Sequence, residues 1–302
     1  MKKNQLGNSD LYVSEIGLGS MSLKNENESI RMIHQAIERG VNYLDTADLY
    51  DFGKNEEVIG NAIKGKRDQV IIGTKVGNRW EEGKEGWYWD PSKQYIKEAV
   101  KNSLKRLNIE YIDLYQLHGG TIEDNIDETI EAFEELKEEG IIRYYGISSI
   151  RPNVIREYVK HSNIVSVMMQ YSILDRRPEE EILSFLQENN ISVIARGPLA
   201  KGMLTEQVEA KIREDGFLDS SKNDILLLAN KLRETCGTSH NLTQLALRYA
   251  LSHPAVATTI PGASSMEQLQ ENLSAANVRE FTKAEITLIQ QLSKENKYDK
   301  HR

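Results

Sequence analysis

The stretch Val-Asn-Tyr-Leu-Asp-Thr-Ala-Asp-Leu-Tyr, residues 41–50, joins a short apolar segment to a group of polar side chains. Such a short apolar run is typical of a buried strand in a parallel sheet, so we predict a strand at Asn42–Thr46. The segment before it, Ser29–Glu38, repeats its apolar residues at the spacing of one helix face. The same alternation of helix and strand continues along the chain.

Short apolar segments of this character recur and are predicted to be strands. With the first one they are Ile16–Ser20, Asn42–Thr46, Val70–Thr74, Ile112–His118, Arg143–Ser148, Val165–Gln170, Ser192–Ala195 and Ala257–Pro261. Helical periodicity marks the segments between them, for example Ser92–Leu107, Ile126–Glu139 and Pro178–Glu188. Strands that alternate with helices pair in parallel, because each parallel neighbour needs a crossover connection. A closed barrel and an open doubly wound sheet both satisfy this order.

The glycine pattern favours the barrel. An open sheet that binds a dinucleotide usually carries three spaced glycines after its first strand, whereas Gly17–Ser22 has only the first two. We therefore predict an α/β fold of the (β/α)8 TIM barrel class, with residues 1–302 as a single domain. Weak alternation across Lys2–Val13 predicts an N-terminal β-hairpin at the bottom of the barrel. Extra C-terminal helices are predicted at Lys222–Glu234, Leu242–Ser252 and Ala284–Lys294.

Composition limits the classes of function. The formal net charge of −8 argues against nucleic acid and anionic membranes as main partners. No apolar run reaches the length of a membrane span, and the six histidines lack the spacing of metal ligands. Cys236 is the single cysteine, so an internal disulfide is excluded and a reducing compartment is suitable. We expect a soluble cytoplasmic protein without a metal, and the oligomeric state stays open.

In a barrel of this class the active site lies at the carboxyl ends of the strands. Four ionisable residues lie there on three consecutive strands: Asp45 and Tyr50 at the second, Lys75 at the third and His118 at the fourth. Each has a simpler explanation alone. Asp45 could cap a helix, Tyr50 could pack on the rim, Lys75 could be a loop cation, and His118 could close a turn. Their joint occurrence at one mouth favours a shared reaction.

Together the four side chains fit proton transfer to a carbonyl oxygen. Tyrosine is a weak acid near neutral pH, and a nearby lysine ammonium favours the phenolate and helps the proton to leave. A buried lysine needs a carboxylate to keep its charge, and Asp45 is the available partner. A histidine opposite can donate a hydrogen bond that orients and polarises the carbonyl.

A set of ordered motifs resembles those of the aldo-keto reductases and covers nearly the whole chain. The motifs are Gly40–Tyr50 with Asn55–Gly60, Ile72–Lys75, Asp113–His118, Gly146–Ser148 and Ile260–Gly262. The resemblance implies an NAD(P)H-dependent oxidoreductase that reduces aldehydes or ketones to alcohols by hydride transfer. It makes Tyr50 the proton donor, Lys75 its activator, Asp45 the partner of Lys75, and His118 the residue that orients the substrate.

The resemblance also implies an extended nicotinamide cofactor across the mouth. The residues expected at this cofactor, besides Asp45, are Gly19, Ser20, Met21, Ser148, Ser149, Gln170, Arg196, Gly197, Pro198, Leu199, Lys201, Gly202, Pro261, Gly262, Ala263, Ser264, Gln268, Glu271 and Asn272. Ser149 stands where the family usually has Asn, and it offers one hydroxyl in place of an amide. Gln170 has an equal alternative as an inward-facing barrel residue. Glu271 and Asn272 also have an equal alternative, as surface residues of the helix that follows the eighth strand.

Two departures from the family bear on the cofactor. Arg196 stands where an aromatic residue often stacks on the nicotinamide; a guanidinium plane can also stack, and its charge disfavours the oxidised ring. Members that prefer NADPH often place Arg or Lys near Ser264 or Gln268 to hold the extra phosphate, and this chain has neither there. The resemblance makes NADPH the expected cofactor, with NADH as the alternative.

All three tryptophans, Trp80, Trp87 and Trp89, lie in the segment after the third strand. We predict that they form an apolar wall for a small-molecule carbonyl substrate; a hairpin packed on the rim is the alternative. Two other functions stay open at this point. One is an aldolase or lyase with Lys75 as a Schiff-base nucleophile. The other is a slow, cofactor-binding redox sensor or a protein resembling a channel subunit.

Overall fold

The computed structural model of the protein describes residues 1–81, 83–236 and 240–302, and the side chain of Cys236 lies outside the described part. In chain order the strands are β1 (Lys3–Gln5), β2 (Tyr12–Ser14), β3 (Leu18–Gly19), β4 (Tyr43–Asp45), β5 (Ile71–Val76), β6 (Asn78–Arg79), β7 (Tyr88–Trp89), β8 (Ile112–Leu117), β9 (Ile142–Ser148), β10 (Ser166–Gln170), β11 (Ser192–Arg196) and β12 (Val256–Ile260). The α-helices of the described part are α1 (Glu26–Glu38), α2 (Lys54–Ala62), α3 (Lys93–Leu107), α4 (Ile126–Glu138), α5 (Pro152–His161), α6 (Ile182–Glu188), α7 (Val208–Lys211), α8 (Lys222–Cys236), α9 (Leu242–Ala250), α10 (Met266–Ser274) and α11 (Lys283–Leu292).

Eight parallel strands form one sheet in the order β3, β4, β5, β8, β9, β10, β11, β12. Its two end strands meet, since Ile16 bridges Thr259 in parallel. The Gly17 N–H donates to the Thr259 carbonyl at 2.9 Å, and the Thr259 N–H donates to the Glu15 carbonyl at 3.0 Å. These bonds close the sheet into a barrel and confirm the predicted (β/α)8 fold. The first strand is shorter than Ile16–Ser20 because its ladder with β4 spans only Leu18 and Gly19.

The outer helices form where apolar residues recur on one face. In α1, Met32, Ile33 and Ala36 are buried, and Asn25 caps the first turn by accepting a hydrogen bond from the Glu28 N–H. The predicted extra C-terminal helices are confirmed as α8, α9 and α11. Among the described helices, none is both long and apolar enough to cross a membrane.

The antiparallel pair β1 and β2 confirms the predicted N-terminal hairpin. Leu6, Leu11 and Val13 are buried in one cluster with apolar residues of β4, β5, β8, β10, β11 and β12. Gly7 turns the hairpin with a φ of 54°, and a Cβ there would collide with the Val165 carbonyl oxygen. The hairpin therefore fills the amino-terminal end of the barrel and leaves the opposite mouth open.

We expect Leu11→Ala to lower the free energy of unfolding by about 2–5 kcal/mol, because it empties a fully enclosed site under the barrel. Leu11 is 1% exposed, whereas its neighbour Tyr12 is 53% exposed. The matched control Tyr12→Thr keeps a strand-forming residue and should change the free energy by no more than about 0.5 kcal/mol. Urea unfolding followed by circular dichroism measures both. Equal losses of unfolding free energy in the two variants would contradict the conclusion that the hairpin fills the amino-terminal end of the barrel.

Candidate active site

A buried ion pair lies at the base of the mouth. The Lys75 ammonium donates to Asp45 Oδ2 at 2.7 Å and to the Thr46 carbonyl at 2.7 Å. The exposed fractions of the Lys75 and Asp45 side chains are 0% and 3%. The third neighbour of the ammonium is the Tyr50 hydroxyl, at 3.3 Å. The structure thus brings together the carboxylate, ammonium and phenol that the sequence predicted to meet at this mouth.

The charge of this pair is set by its surroundings. Burial lowers the pKa of Lys75, but the charges of Asp45 and Tyr50 outweigh burial, so the pKa lies above its usual value. Burial raises the pKa of Asp45, and the Lys75 ammonium opposes that rise. Lys75 therefore stays protonated near neutral pH. It therefore places a fixed positive charge 3.3 Å from the Tyr50 hydroxyl.

Tyr50 reaches this position from a tight turn. The next three residues, Asp51, Phe52 and Gly53, have positive φ angles of 48°, 50° and 87°. This left-handed stretch is sterically costly for residues with a Cβ. It leads the chain into α2, which begins at Lys54. The Lys75 ammonium lies over the Tyr50 ring, with Nζ 4.8 Å from the ring centroid.

A buried polar network holds the segment that carries this turn. Asn55 Oδ1 accepts a hydrogen bond from the Thr46 hydroxyl at 2.7 Å. The Thr74 hydroxyl donates to Glu56 at 2.6 Å, and Glu56 pairs with Arg106 at 2.7 Å. Asn55 and Glu56 thus connect the start of α2 to the ends of β4 and β5. These hydrogen bonds and the Glu56–Arg106 ion pair hold the turn in place.

His118 lies across the mouth from Tyr50. The two rings meet edge to face with their centroids 5.8 Å apart. Burial, then the charges of Lys75 and Arg196, lower the pKa of His118 to about 3. The imidazole is therefore neutral at physiological pH. It can donate a hydrogen bond to a carbonyl oxygen without competing for the proton of Tyr50.

The mouth encloses a cavity of about 1080 Å³. Tyr50, His118 and Asp45 line it, and Lys75 lies behind Tyr50. The other predicted residues that line it are Gly19, Met21, Trp87, Trp89, Ser148, Ser149, Gln170, Arg196, Gly197, Pro198, Leu199, Lys201, Gly202, Pro261, Gly262, Ser264, Gln268, Glu271 and Asn272. Nearly all of the predicted site residues therefore line one cavity.

Besides Lys75, three predicted residues do not line the cavity. Ser20 is fully buried and its hydroxyl donates to the Asp45 carbonyl at 2.6 Å. Ala263 is buried in the cluster between the barrel and its outer helices. In both cases the neighbours on either side line the cavity, while the middle residue is turned into the protein interior. Trp80 lies outside the lining because its indole N–H donates to the Asp48 carbonyl at 2.9 Å.

The tryptophan segment combines both alternatives considered for it. β6 and β7 form a two-stranded hairpin with Asn78 opposite Trp89. The Trp89 indole N–H donates to Asp124 at 3.0 Å, which holds the hairpin to the rim. Trp87 and Trp89 nevertheless line the cavity, so the rim hairpin is also a wall of the pocket.

The wall formed after β11 and β12 has the features of a dinucleotide site. Ser265 caps α10 by accepting from the Gln268 N–H at 3.4 Å, and the first N–H groups of this helix are available to an anion. Asn272 donates to the Gly262 carbonyl at 3.1 Å and so shapes the preceding loop. Gly197 has a φ of 64°, and a Cβ there would lie in ordinary contact with Gln170 Cγ at 3.7 Å. These residues fit a pyrophosphate and an adenosine.

The lining residues that sequence reasoning missed include Asn78, Arg151, Lys211 and Phe217. Asn78 follows β5 closely and Arg151 follows β9, so both carried the signal of a polar residue beyond a strand end. Asn78 donates to the His118 carbonyl at 3.3 Å and supports that turn. Lys211 and Phe217 lie in the long connection between β11 and α8, which has no local signal for the mouth.

A (β/α)8 barrel with a buried Asp-Lys pair, a tyrosine above it and a neutral histidine opposite defines the class of nicotinamide-dependent barrel oxidoreductases. The chain belongs to the aldo/keto reductase family, whose family model matches residues 15–294. It is therefore an NAD(P)H-dependent oxidoreductase that reduces carbonyl compounds.

Three relatives agree with this. The chain is 59% identical to the uncharacterized oxidoreductase YqkF of Bacillus subtilis, with 100% of each chain aligned. It is 31% identical to the NADH-specific methylglyoxal reductase of Escherichia coli, over 97% of this chain and 98% of that relative. The solved holo form of aldo-keto reductase AKR11C1 from Bacillus halodurans superposes with a TM-score of 0.95 at 57% identity, over 100% of this chain and 99% of the other. None of these three is described as a sensor or an aldolase.

We expect kcat/KM for aldehyde reduction to show no ionisation of His118 between pH 5 and pH 8. With the pKa lowered to about 3, the imidazole gains a proton only well below this range. An ordinary histidine would titrate near pH 6.5. The measurement is a pH–rate profile of the protein and of His118→Asn, which should be slower with a profile of the same shape. An inflection near pH 6.5 that disappears in His118→Asn would contradict the neutral imidazole.

Proposed function

We propose that Tyr50 is the proton donor for reduction of aldehydes and ketones. The observation that carries this is the Tyr50 hydroxyl 3.3 Å from a fully buried ammonium, at the edge of the cavity. The bound nicotinamide supplies a hydride to the carbonyl carbon. Tyr50 gives its proton to the carbonyl oxygen, and solvent later returns one. Carbonyl, NAD(P)H and one proton thus yield alcohol and NAD(P)⁺.

The other side chains have supporting roles. Lys75 stabilises the phenolate, and Asp45 keeps Lys75 charged in the barrel interior. His118 orients the carbonyl by a hydrogen bond from its neutral ring. The aldolase alternative lacks support, because Lys75 is fully buried and paired, with no free amine for a Schiff base. No specific observation favours the sensor.

We propose NADPH as the cofactor, with NADH also accepted. Ser264, Gln268 and the start of α10 offer hydroxyl, amide and N–H donors near an adenosine phosphate, and the Ser264 hydroxyl lies 3.1 Å from Gln268 Oε1. Within the described part of the cavity, no arginine or lysine lies beside these two residues in sequence or on α10. A neutral site of this kind supports weak discrimination between the two cofactors. A relative 31% identical to this chain is named an NADH-specific methylglyoxal reductase, which supports keeping NADH as an accepted cofactor.

Arg196 is proposed to take the place of the aromatic residue that often stacks on the nicotinamide. Its Nη1 donates to Gln170 Oε1 at 3.1 Å, and Gln170 in turn donates to the buried Asp175 at 2.7 Å. The guanidinium is thus held at the end of β11, where it lines the cavity. A fixed cation beside the ring disfavours the oxidised, cationic nicotinamide.

Trp87 and Trp89 are proposed to contact the organic part of the substrate, as apolar walls opposite the cofactor. We further propose that residues 1–302 act as one domain and that the enzyme works in the cytoplasm. The single cysteine supports a reducing compartment.

We expect Tyr50→Phe to lower kcat by about 10²–10⁴-fold, because it removes only the proton donor. The measurement is the loss of reduced-nicotinamide absorbance with 4-nitrobenzaldehyde, using NADPH and NADH in parallel. Cofactor affinity, followed by tryptophan fluorescence, should stay unchanged in the variant. For the wild type we expect turnover with both cofactors and the lower KM for NADPH. Full activity in Tyr50→Phe would overturn the assignment of the donor, and cofactor binding without any turnover in the wild type would favour the sensor.

We expect Arg196→Tyr to bind NADP⁺ about fivefold more tightly, an effect of about 1 kcal/mol, because a like charge near the oxidised ring is removed. Affinity for NADPH should change less. Fluorescence titration measures the affinities for NADP⁺ and NADPH. Arg196→Lys serves as a control that keeps the positive charge but lacks the planar guanidinium. Unchanged affinities for NADP⁺ and NADPH in Arg196→Tyr would contradict the proposal that the charge of Arg196 disfavours the oxidised nicotinamide.

A further inference from the structure

The cavity is positively charged within an acidic protein. The whole chain carries a formal net charge of −8. The charged residues that line the cavity are Arg151, Arg196, Lys201, Lys211, Asp45 and Glu271. Asp45 is neutralised by Lys75, and Glu271 accepts a hydrogen bond from the Thr243 hydroxyl at 2.7 Å. The cavity therefore presents an excess of cations and attracts anionic ligands.

Three of these cations lie on the cofactor side, and one does not. Arg196, Lys201 and Lys211 lie on β11 or in the connection that follows it. Arg151 lies at the start of α5, beyond β9, and its Nη1 donates to the Gly120 carbonyl at 2.7 Å. Gly120 is two residues beyond His118, so the guanidinium lies on the side of the mouth where the substrate carbonyl is oriented.

Arg151 differs from most of the other buried and half-buried arginines. Apart from Arg196, which donates to Gln170 Oε1 on the cofactor side, those others are paired with carboxylates, as in Arg106–Glu56, Arg177–Asp175 and Arg248–Glu15. Across residues 1–81, 83–236 and 240–302, no carboxylate lies within ion-pair distance of Arg151. One of its five N–H groups donates to a protein carbonyl, which leaves a bidentate edge for a ligand. Such a half-buried, unpaired charge gains free energy when an anion binds.

We propose that Arg151 is a specificity-determining residue that binds a carboxylate of the substrate. The preferred substrates are then aldehyde or keto acids, with the carbonyl at Tyr50 and His118 and the carboxylate on the guanidinium. Trp87 and Trp89 flank the organic body between the two groups. A planar carboxylate matches the fork of arginine better than the point charge of lysine. This inference rests on the proposed carbonyl reduction, whose substrate class it names.

The test compares acids with their neutral esters. 3-Formylbenzoate and 4-formylbenzoate are each assayed against the corresponding methyl ester, which keeps the ring and the aldehyde but carries no charge; KM is compared because the ester is the more electrophilic aldehyde. In the wild type we expect a lower KM for at least one acid than for its ester. Arg151→Gln should raise that KM about tenfold or more, as expected for loss of a charge-assisted hydrogen bond, with kcat for the ester within about twofold. Arg151→Lys should restore part of the difference.

A matched control separates a local contact from a general charge effect. Arg156 is on the same helix, is 39% exposed in its side chain and pairs with Glu181 instead of lining the cavity. Arg156→Gln removes the same charge and should leave the KM of acids and esters unchanged. If Arg151→Gln weakens acid and ester equally, Arg151 only supports the Gly120 turn and the proposal is overturned. Absence of any preference for the acids in the wild type overturns it as well.

A binding measurement keeps this inference separate from the proposed reduction. Terephthalate carries the carboxylate without an aldehyde, and its binding in the presence of NADP⁺ is followed by tryptophan fluorescence. We expect binding to the wild type and at least tenfold weaker binding to Arg151→Gln. Equal binding to both proteins overturns the role of Arg151 even if the esters are reduced. If no ester is reduced but terephthalate binds through Arg151, the reductase proposal fails and the anion site stands.

Discussion

The buried pair of Asp45 and Lys75 is the constraint on which the rest of the mouth depends. Removing one partner of such a pair typically costs about 3–5 kcal/mol, because the other charge stays behind in the barrel interior. Both members must therefore come from adjacent strands in a fixed register, and Asp45 lies opposite Gly73 in the ladder between β4 and β5. A Cβ on Gly73 would collide with the Tyr43 hydroxyl, so this glycine lets an aromatic ring fill the space under the pair.

Most of the architecture and the catalytic group were accessible from the sequence for the same physical reason. Parallel strands are buried on both faces, so they stand out as short apolar runs, and the first polar residues after each run must lie at one end of the barrel. That argument alone placed Asp45, Tyr50, Lys75 and His118 together. The family resemblance added the role expected of each of these residues and the residues expected to contact the cofactor.

The failures have physical causes as well. Ser20 and Ala263 were assigned by position along the chain, but both side chains are packed into the interior, where the Ser20 hydroxyl donates to the Asp45 carbonyl. Trp80 was grouped with the other tryptophans although its indole N–H bonds to a backbone carbonyl on the rim. Lys211 and Phe217 reach the cavity from a connection whose path depends on tertiary packing, and local patterns do not encode such a path.

The hairpin at the amino-terminal end of the barrel has a consequence for how such enzymes diverge. It completes the hydrophobic core at the end opposite the chemistry, so residues that secure folding and residues that choose a substrate occupy separate regions of one chain. Selection can therefore change the loops around the mouth while the hairpin and the core beneath the barrel are retained. A relative 31% identical to this chain, over nearly its full length, can thus keep the same architecture and specialise in its own small carbonyl compound.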